Sequence, residues 1–326
     1  MTTRTSTRTS TRTSTRTWFV TGTSSGFGRH LTEQLLARGD RVAATARRPE
    51  SLDDLAAGHG ERLWRSPLDV TDTAALRETV DRAFTALGRI DVVVSNAGYG
   101  LFGAAEELTD EQIDRQIATN LTASIQLARA ATPHLRRQGG GRFLQIASIG
   151  GQIAFPAMSL YHATKWGIEG FWESAAAELA PFGIGVTVVE PGVSRTNFGA
   201  GGSVLGDPLP AYADGPSGQL RGILSGELPP LPAPGDPAKI AAAIIASADQ
   251  AEAPFRLTLG SDAYALATAA LRDRLEALEA GRVLAHSTDV DAEVEAEVEV
   301  EVDTNDTHIN VTNATDTTDT TGLAGK

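Results

Sequence analysis

Hydrophobic positions along the chain keep two rhythms. Seven short runs, within 18–22, 40–46, 62–70, 90–95, 142–147, 185–190 and 255–259, are mostly apolar with little regular polar alternation. Strands buried on both faces of a parallel sheet read this way. Between them lie longer stretches with apolar residues at helical spacing: Gly28 to Arg38, Thr73 to Leu87, Thr109 to Arg137, Ser159 to Leu179, Lys239 to Ser247 and Tyr264 to Leu278. Several of these end at glycine, as at Gly39, Gly88 and Gly139. Strand and helix alternate, which predicts an α/β fold on a doubly wound parallel sheet, as one domain over residues 18–282.

Three segments break the rhythm. Residues 1–17 repeat Thr-Arg-Thr-Ser with a period of four and have no apolar face, so a disordered arm is expected, read as a repeat expansion or a mis-assigned start ahead of Trp18 in preference to a basic or targeting arm. Residues 283–326 alternate Glu with Val or Ala and then become Thr- and Asp-rich. Like charges on one face of an extended chain repel, and a disordered acidic tail is expected. Residues 197–236 are rich in Gly and Pro within the domain, and a loop of that length reads as a substrate lid, with Phe198, Leu205, Tyr212 and Leu220 as its apolar contacts.

Composition narrows the chemistry. There is no cysteine, and the six histidines show no short ligand spacing, so no metal is expected. The formal charge of −13 is uneven: residues from Val283 onward carry eleven acids against one lysine, and the first seventeen carry four arginines. The middle is still acidic, which argues against nucleic acid as a partner. No apolar run is long enough to span a bilayer, and the basic start lacks an apolar signal core. A soluble, cytoplasmic protein is expected, and the glycosylation patterns at Asn310 and Asn313 then carry no weight.

Candidate chemistry begins where the first strand meets a glycine turn. Gly22, Ser24, Ser25, Gly26, Phe27 and Gly28 lie between that strand and a helix. Such a turn lets a pyrophosphate approach the backbone at the helix's positive end. The second strand ends in Arg47-Arg48, where an acidic residue would bind a free ribose 2′-hydroxyl, so a 2′-phosphate is expected, with Arg47 its contact: NADP(H) over NAD(H). Asp69 and Val70 leave the third strand, with Asp69 placed for an adenine amino group. Asn96, Ala97 and Gly98 leave the fourth and give room beside a cofactor. Pro191, Gly192, Val193 and Thr196 follow the strand after the Ser159–Leu179 helix, where a hydroxyl or backbone amide is expected to hold the nicotinamide carboxamide.

Ser148 follows a buried strand, and Tyr161 and Lys165 are one helical turn apart. An ammonium beside a phenol favours the phenolate, so Lys165 is expected to bring the Tyr161 pKa toward neutrality. By spacing alone, a packed tyrosine and a solvated lysine is the favoured reading, and the rest of the chain has to change it.

Taken together, Thr21-Gly22 with Gly26 and Gly28, Asn96-Ala97-Gly98, Asn120, Ser148, Tyr161 with Lys165, and Pro191-Gly192 resemble the short-chain dehydrogenase/reductase family in order and interval. The resemblance covers about Trp18 to Arg282. It implies a Rossmann-type domain, assembled as a homodimer or homotetramer, that moves a hydride between nicotinamide and a carbonyl or secondary alcohol. It also implies roles: Tyr161 as proton donor, Ser148 bonded to the substrate oxygen, Lys165 on the tyrosine and the nicotinamide ribose, and Asn120 positioning a water that links Lys165 to solvent. Ser95 departs from the family's usual asparagine and is expected to bond backbone instead. The Tyr99 to Gly103 region resembles the branch acting on hydroxysteroids, which implies an apolar substrate. The competing reading is a non-catalytic NADP-binding sensor or scaffold.

Overall fold

A computed structural model describes residues 15–196, 198 and 202–290. Most of the repeat arm, Asn197 of the lid and the acidic tail from 291 lie outside the described residues. Clustering of contacts separates a unit ending at Leu271 from one beginning at Arg272. The domain end expected at Arg282 thus lies beyond this division, which falls inside a helix.

The first unit opens with β1 (Thr17–Thr21), α1 (Gly26–Ala37), β2 (Arg41–Ala46), α2 (Asp53–His59), β3 (Leu63–Pro67), α3 (Thr73–Leu87) and β4 (Val92–Ser95). A short β5 (Gly100–Phe102) precedes α4 (Asp110–Ile117), a π-helical turn over Ala118–Thr122 and α5 (Ala123–Arg137). Then come β6 (Gly141–Ile146), α6 (Ser159–Leu179), β7 (Ile184–Pro191), β8 (Ser203–Leu205), α7 (Pro216–Ser225), α8 (Pro237–Ala248), β9 (Arg256–Leu259) and α9 (Ser261–Ala280). In the second unit the described residues are the end of α9 and α10 (Arg282–His286), where Leu275, Leu278 and Leu284 are exposed.

Seven strands form one sheet in the order β3-β2-β1-β4-β6-β7-β9, with every pairing parallel. The central strands β1, β4, β6 and β7 are mostly apolar and buried because helices cover both faces of the sheet. Leu31, Leu35 and Leu36 of α1 pack with Ile240 and Ile244 of α8 on one face. Leu76, Val80 and Phe84 of α3 pack with Leu127 of α5 and Trp172 of α6 on the other. Burying each such side chain contributes roughly 2 kcal/mol. After β3 the chain crosses to the far side of β1, so the carboxyl ends of β1 and β4 flank the crevice where open α/β sheets take their ligands.

Three differences from the expected pattern have physical causes. Thr17 already belongs to β1, and Arg16 donates its backbone N–H to Asp40 at 3.0 Å and pairs with Asp249 at 3.3 Å, so the repeat's last arginine is part of the fold. The lid segment contains β8 and α7; β8 pairs with β5, and Pro216 opens α7 at a position that needs no N–H. Helix α2 escaped notice because none of its residues is buried. No helix among the described residues is long and apolar enough to cross a membrane.

Candidate active site

The glycines of the first turn divide their work. A Cβ on Gly28 would stand 2.3 Å from the Gly22 carbonyl oxygen and 2.5 Å from Asn96 Nδ2, so close packing requires that glycine. Gly26 has φ +56° and its nearest neighbour would be Thr196 Cβ at 3.9 Å, so the backbone there lies open. Ser25 is the N-cap of α1, yet its side chain caps nothing. The first N–H groups of α1 and the exposed Ser24 and Ser25 therefore offer donors at the positive end of the helix, and Phe27 is half-buried beside them. Arg47 is exposed past the end of β2. Asp69 accepts from the Thr71 hydroxyl at 2.7 Å and N–H at 3.0 Å, and these bonds, aided by the Arg47 charge, hold its carboxyl below the usual range. Val70 packs against the core.

Asn96 is placed differently from the expectation. Its side-chain amide donates to the carbonyls of Thr21 at 2.8 Å and Gly22 at 3.0 Å, tying the exit of β4 to the glycine turn. Its donors are spent on that tie, which leaves Ala97 and Gly98 to line the crevice. Ser95 bonds the Ser124 hydroxyl at 2.9 Å rather than backbone.

Ser148, Tyr161 and Lys165 do converge. Ser148 caps a short turn at the end of β6, its Oγ accepting from Gly150 N–H at 3.0 Å, and its hydroxyl also hydrogen-bonds the Tyr161 phenol. Lys165 Nζ donates to the Ile146 carbonyl at 3.0 Å and lies 5.7 Å from the Tyr161 ring centroid. The expected fall of the tyrosine pKa is not found. Burial pushes the phenol up to about 12, and only Ser148 works against it. Lys165 is itself pushed down to about 8 by burial, with the charge of Glu169 in opposition. Desolvation penalises both charged forms and is the largest cause at each. Asn120 sits in the π-helical turn, and its amide is used in both directions on Tyr99: Oδ1 accepts from N–H at 3.1 Å, and Nδ2 donates to the carbonyl at 2.9 Å. Its backbone carbonyl accepts from the Ser124 hydroxyl at 3.4 Å.

After β7 the backbone amides are likewise occupied. Gly192 N–H donates to Leu259 O at 2.9 Å and Val193 N–H to Asp262 Oδ2 at 2.7 Å. Of the apolar lid residues, Phe198 meets the Tyr161 ring edge-on at 5.5 Å and Phe102 at 6.1 Å. Tyr212 instead donates to Glu106 at 2.9 Å, Leu205 is exposed in β8, and Leu220 is half-buried in α7.

Several residues that shape the site gave no sequence signal. His162 joins the turn after Ser148 to α6, with Nδ1 donating to Gly150 O and Nε2 accepting from Phe155 N–H, each at 2.8 Å. Burial lowers its pKa and keeps it neutral, as that pairing requires. Buried Glu107 anchors the lid, accepting from Ala104 N–H, Leu209 N–H and the Ser217 hydroxyl and pairing with Arg221. Ala157 holds φ +62°, the only positive value at a non-glycine among the described residues. Acid and histidine positions such as these look like ordinary surface residues until the fold brings partners to them.

The comparisons with known proteins agree with this fold. A family model described as short chain dehydrogenase matches residues 16–201. Oxidoreductase BOA17 of Botryotinia fuckeliana is 38% identical over 251 residues, covering 76% of this chain and 89% of that protein. A short-chain dehydrogenase structure from Streptomyces avermitilis superposes with TM-score 0.78 at 40% identity, covering 85% of this chain and all of that one. The structure of ElxO with NADP bound gives TM-score 0.62 at 26% identity, covering 76% of this chain and 97% of that one.

Proposed function

The chain belongs to the short-chain dehydrogenase/reductase family, and on that premise we propose that it is an NADP(H)-dependent reductase of an apolar carbonyl compound, with Tyr161 as its general acid. The carrying observation is the meeting of Ser148, Tyr161 and Lys165 beside an uncapped helix N-terminus and an open glycine. The NADP bound to the structural neighbour ElxO supports the cofactor class, and exposed Arg47 supports a 2′-phosphate over a free hydroxyl.

The residues present fit such a cofactor. Gly26 and the first N–H groups of α1 would take the pyrophosphate, Arg47 the 2′-phosphate, Asp69 the adenine amino group, and Thr196 the carboxamide. When bound, the nicotinamide supplies or accepts the hydride. The remaining steps belong to the chain. Ser148 donates a hydrogen bond to the substrate oxygen and orients it toward Tyr161. Tyr161 delivers its proton to that oxygen as negative charge develops, and a phenol held protonated by burial suits this reductive direction. Lys165, still largely charged at neutral pH, stabilises the phenolate that results. Asn120 positions the water through which the proton is replaced. Phe198 and Phe102 exclude solvent and favour an apolar substrate. The family's usual homodimer or homotetramer is the assembly we propose.

Purified protein with NADPH and a panel of aldehydes, aliphatic ketones and ketosteroids tests this reading. Consumption of NADPH with at least one of them, lost in Tyr161→Phe, is expected. Tight NADPH binding with no turnover of any would favour a sensor instead.

A further inference from the structure

Behind the site lies a charge cluster that no step above uses. Arg256 of β9 is held among three carboxylates: Nη1 donates to Glu169 Oε2 at 2.7 Å and to Glu190 Oε1, and Nη2 donates to Glu173 Oε1. The Glu169 and Glu190 side chains are 4% and 2% exposed. Thr258 donates to Glu190 Oε2 at 2.7 Å, and Gln152 donates to Glu169 Oε2 and, at 3.4 Å, to Glu190 Oε1. The segments joined are those that carry the chemistry. Gln152 follows Ser148 in the turn after β6, Glu169 is one helical turn beyond Lys165, and Glu190 immediately precedes Pro191.

One arginine does not neutralise three acids. The groups facing Glu169 are Lys165 one turn before it on its own helix, Glu190 from β7 and Arg256 from β9, which also pairs with the more exposed Glu173; Arg256 and Lys165 are the cations set against the two buried acids. Glu169 Oε1 is buried without a hydrogen-bond partner, beside Gly151, where a Cβ would come within 1.9 Å of it. A contact serving only to pack helix on strand would favour apolar residues over buried acids.

We infer that Glu169, held in place by Arg256, is a positioning residue that keeps Lys165 charged and aligned with Tyr161. Burial alone drives Lys165 toward its neutral form, and the Glu169 charge opposes this. Glu169 is itself raised to about 7 by burial, with the Arg256 hydrogen bond in opposition, so removing Arg256 protonates Glu169 and withdraws its support from Lys165.

The chain has only three lysines, Lys165, Lys239 and Lys326, so a full-length protein labelled with 13C at lysine Cε gives three signals to titrate. Glu169→Gln removes the charge and keeps an acceptor for Arg256 and Gln152. Its Lys165 midpoint is expected to fall by about half a pH unit or more. The alkaline limb of kcat should move with it while the KM for NADPH stays unchanged. Arg256→Met should shift both in the same direction, and Arg256→Lys should restore them. An unmoved Lys165 titration in folded Glu169→Gln overturns the inference. The kinetic arm rests on the hydride-transfer reading, but the lysine titration does not: if no carbonyl is reduced, that reading fails, and the shift of Lys165 still decides the role of Glu169.

Discussion

The two ends of the crevice use charge in opposite ways. Around Tyr161 and Lys165 the ionisable groups are buried, and their titrations are displaced, the phenol up to about 12 and the ammonium down to about 8. Around Gly26 the polar groups, Ser24, Ser25, Arg47 and Asp69, are exposed. Proton transfer needs donors whose protonation differs from that in water, and at Tyr161 and Lys165 burial is the largest cause of that difference. Holding a phosphate needs reachable N–H groups and a guanidinium, which burial would remove. Changes at the first end are therefore expected in kcat and its pH profile. Changes at the second are expected in cofactor KM and its salt dependence.

The strongest test of that division is Tyr161→Phe. It removes the proposed proton donor and keeps the ring that packs on Phe198, so kcat for carbonyl reduction should fall by about a thousandfold, with NADPH binding measured by fluorescence nearly unchanged. Lys165→Met should follow, at about a hundredfold. The sign of its pH effect is fixed: a lysine with a lowered pKa is charged below about 8 and loses its charge above, so wild-type kcat should decline as pH rises through about 8. In Lys165→Met that limb should vanish. A Tyr161→Phe variant that loses cofactor binding as much as kcat would break the division.

The same contrast explains what the sequence could reveal. The seven sheet strands and the helices that cover them were legible because their apolar periods reflect burial on both faces, as in Val92-Val93-Val94 and in the Leu76, Val80, Phe84 stripe. The convergence of Ser148, Tyr161 and Lys165 was legible because two lie on one helix and the third ends a strand. Their electrostatics were not: spacing gives proximity but not desolvation, and desolvation reversed the expected direction for Tyr161. The bonds that Asn96 and the amides of Gly192 and Val193 make within the chain were not legible because their partners, the glycine turn, Leu259 and Asp262, are remote in sequence. Within the lid, α7 hid in a Gly- and Pro-rich stretch because it is anchored from outside through Glu107.

At the exposed end Arg47→Ala sharpens the comparison. An exposed guanidinium on a phosphate is screened by solvent, so a loss of about tenfold in kcat/KM for NADPH is expected, with little change for NADH and with kcat itself preserved. Raising ionic strength should shrink the wild-type preference and leave the variant flat. Equal losses with both cofactors would remove Arg47 from the phosphate site.

The smallest effect belongs to the residue that joins the two regimes. Phe198 lies on the lid yet packs edge-on against Tyr161, and an aromatic pair of that kind is worth about 0.5–1.5 kcal/mol. Phe198→Ala should raise the KM for apolar carbonyls by roughly threefold to tenfold. It should also admit water to the phenol and lower the Tyr161 pKa from its displaced value, because desolvation is the larger cause of that displacement. Ultraviolet titration of tyrosinate in Phe198→Ala, with Tyr161→Phe as the reference, reads this directly. If KM rises while the titration stays fixed, the lid selects substrate without setting the acidity of the donor, and the burial of Tyr161 must then be credited to Ser148 and the turn closed by His162.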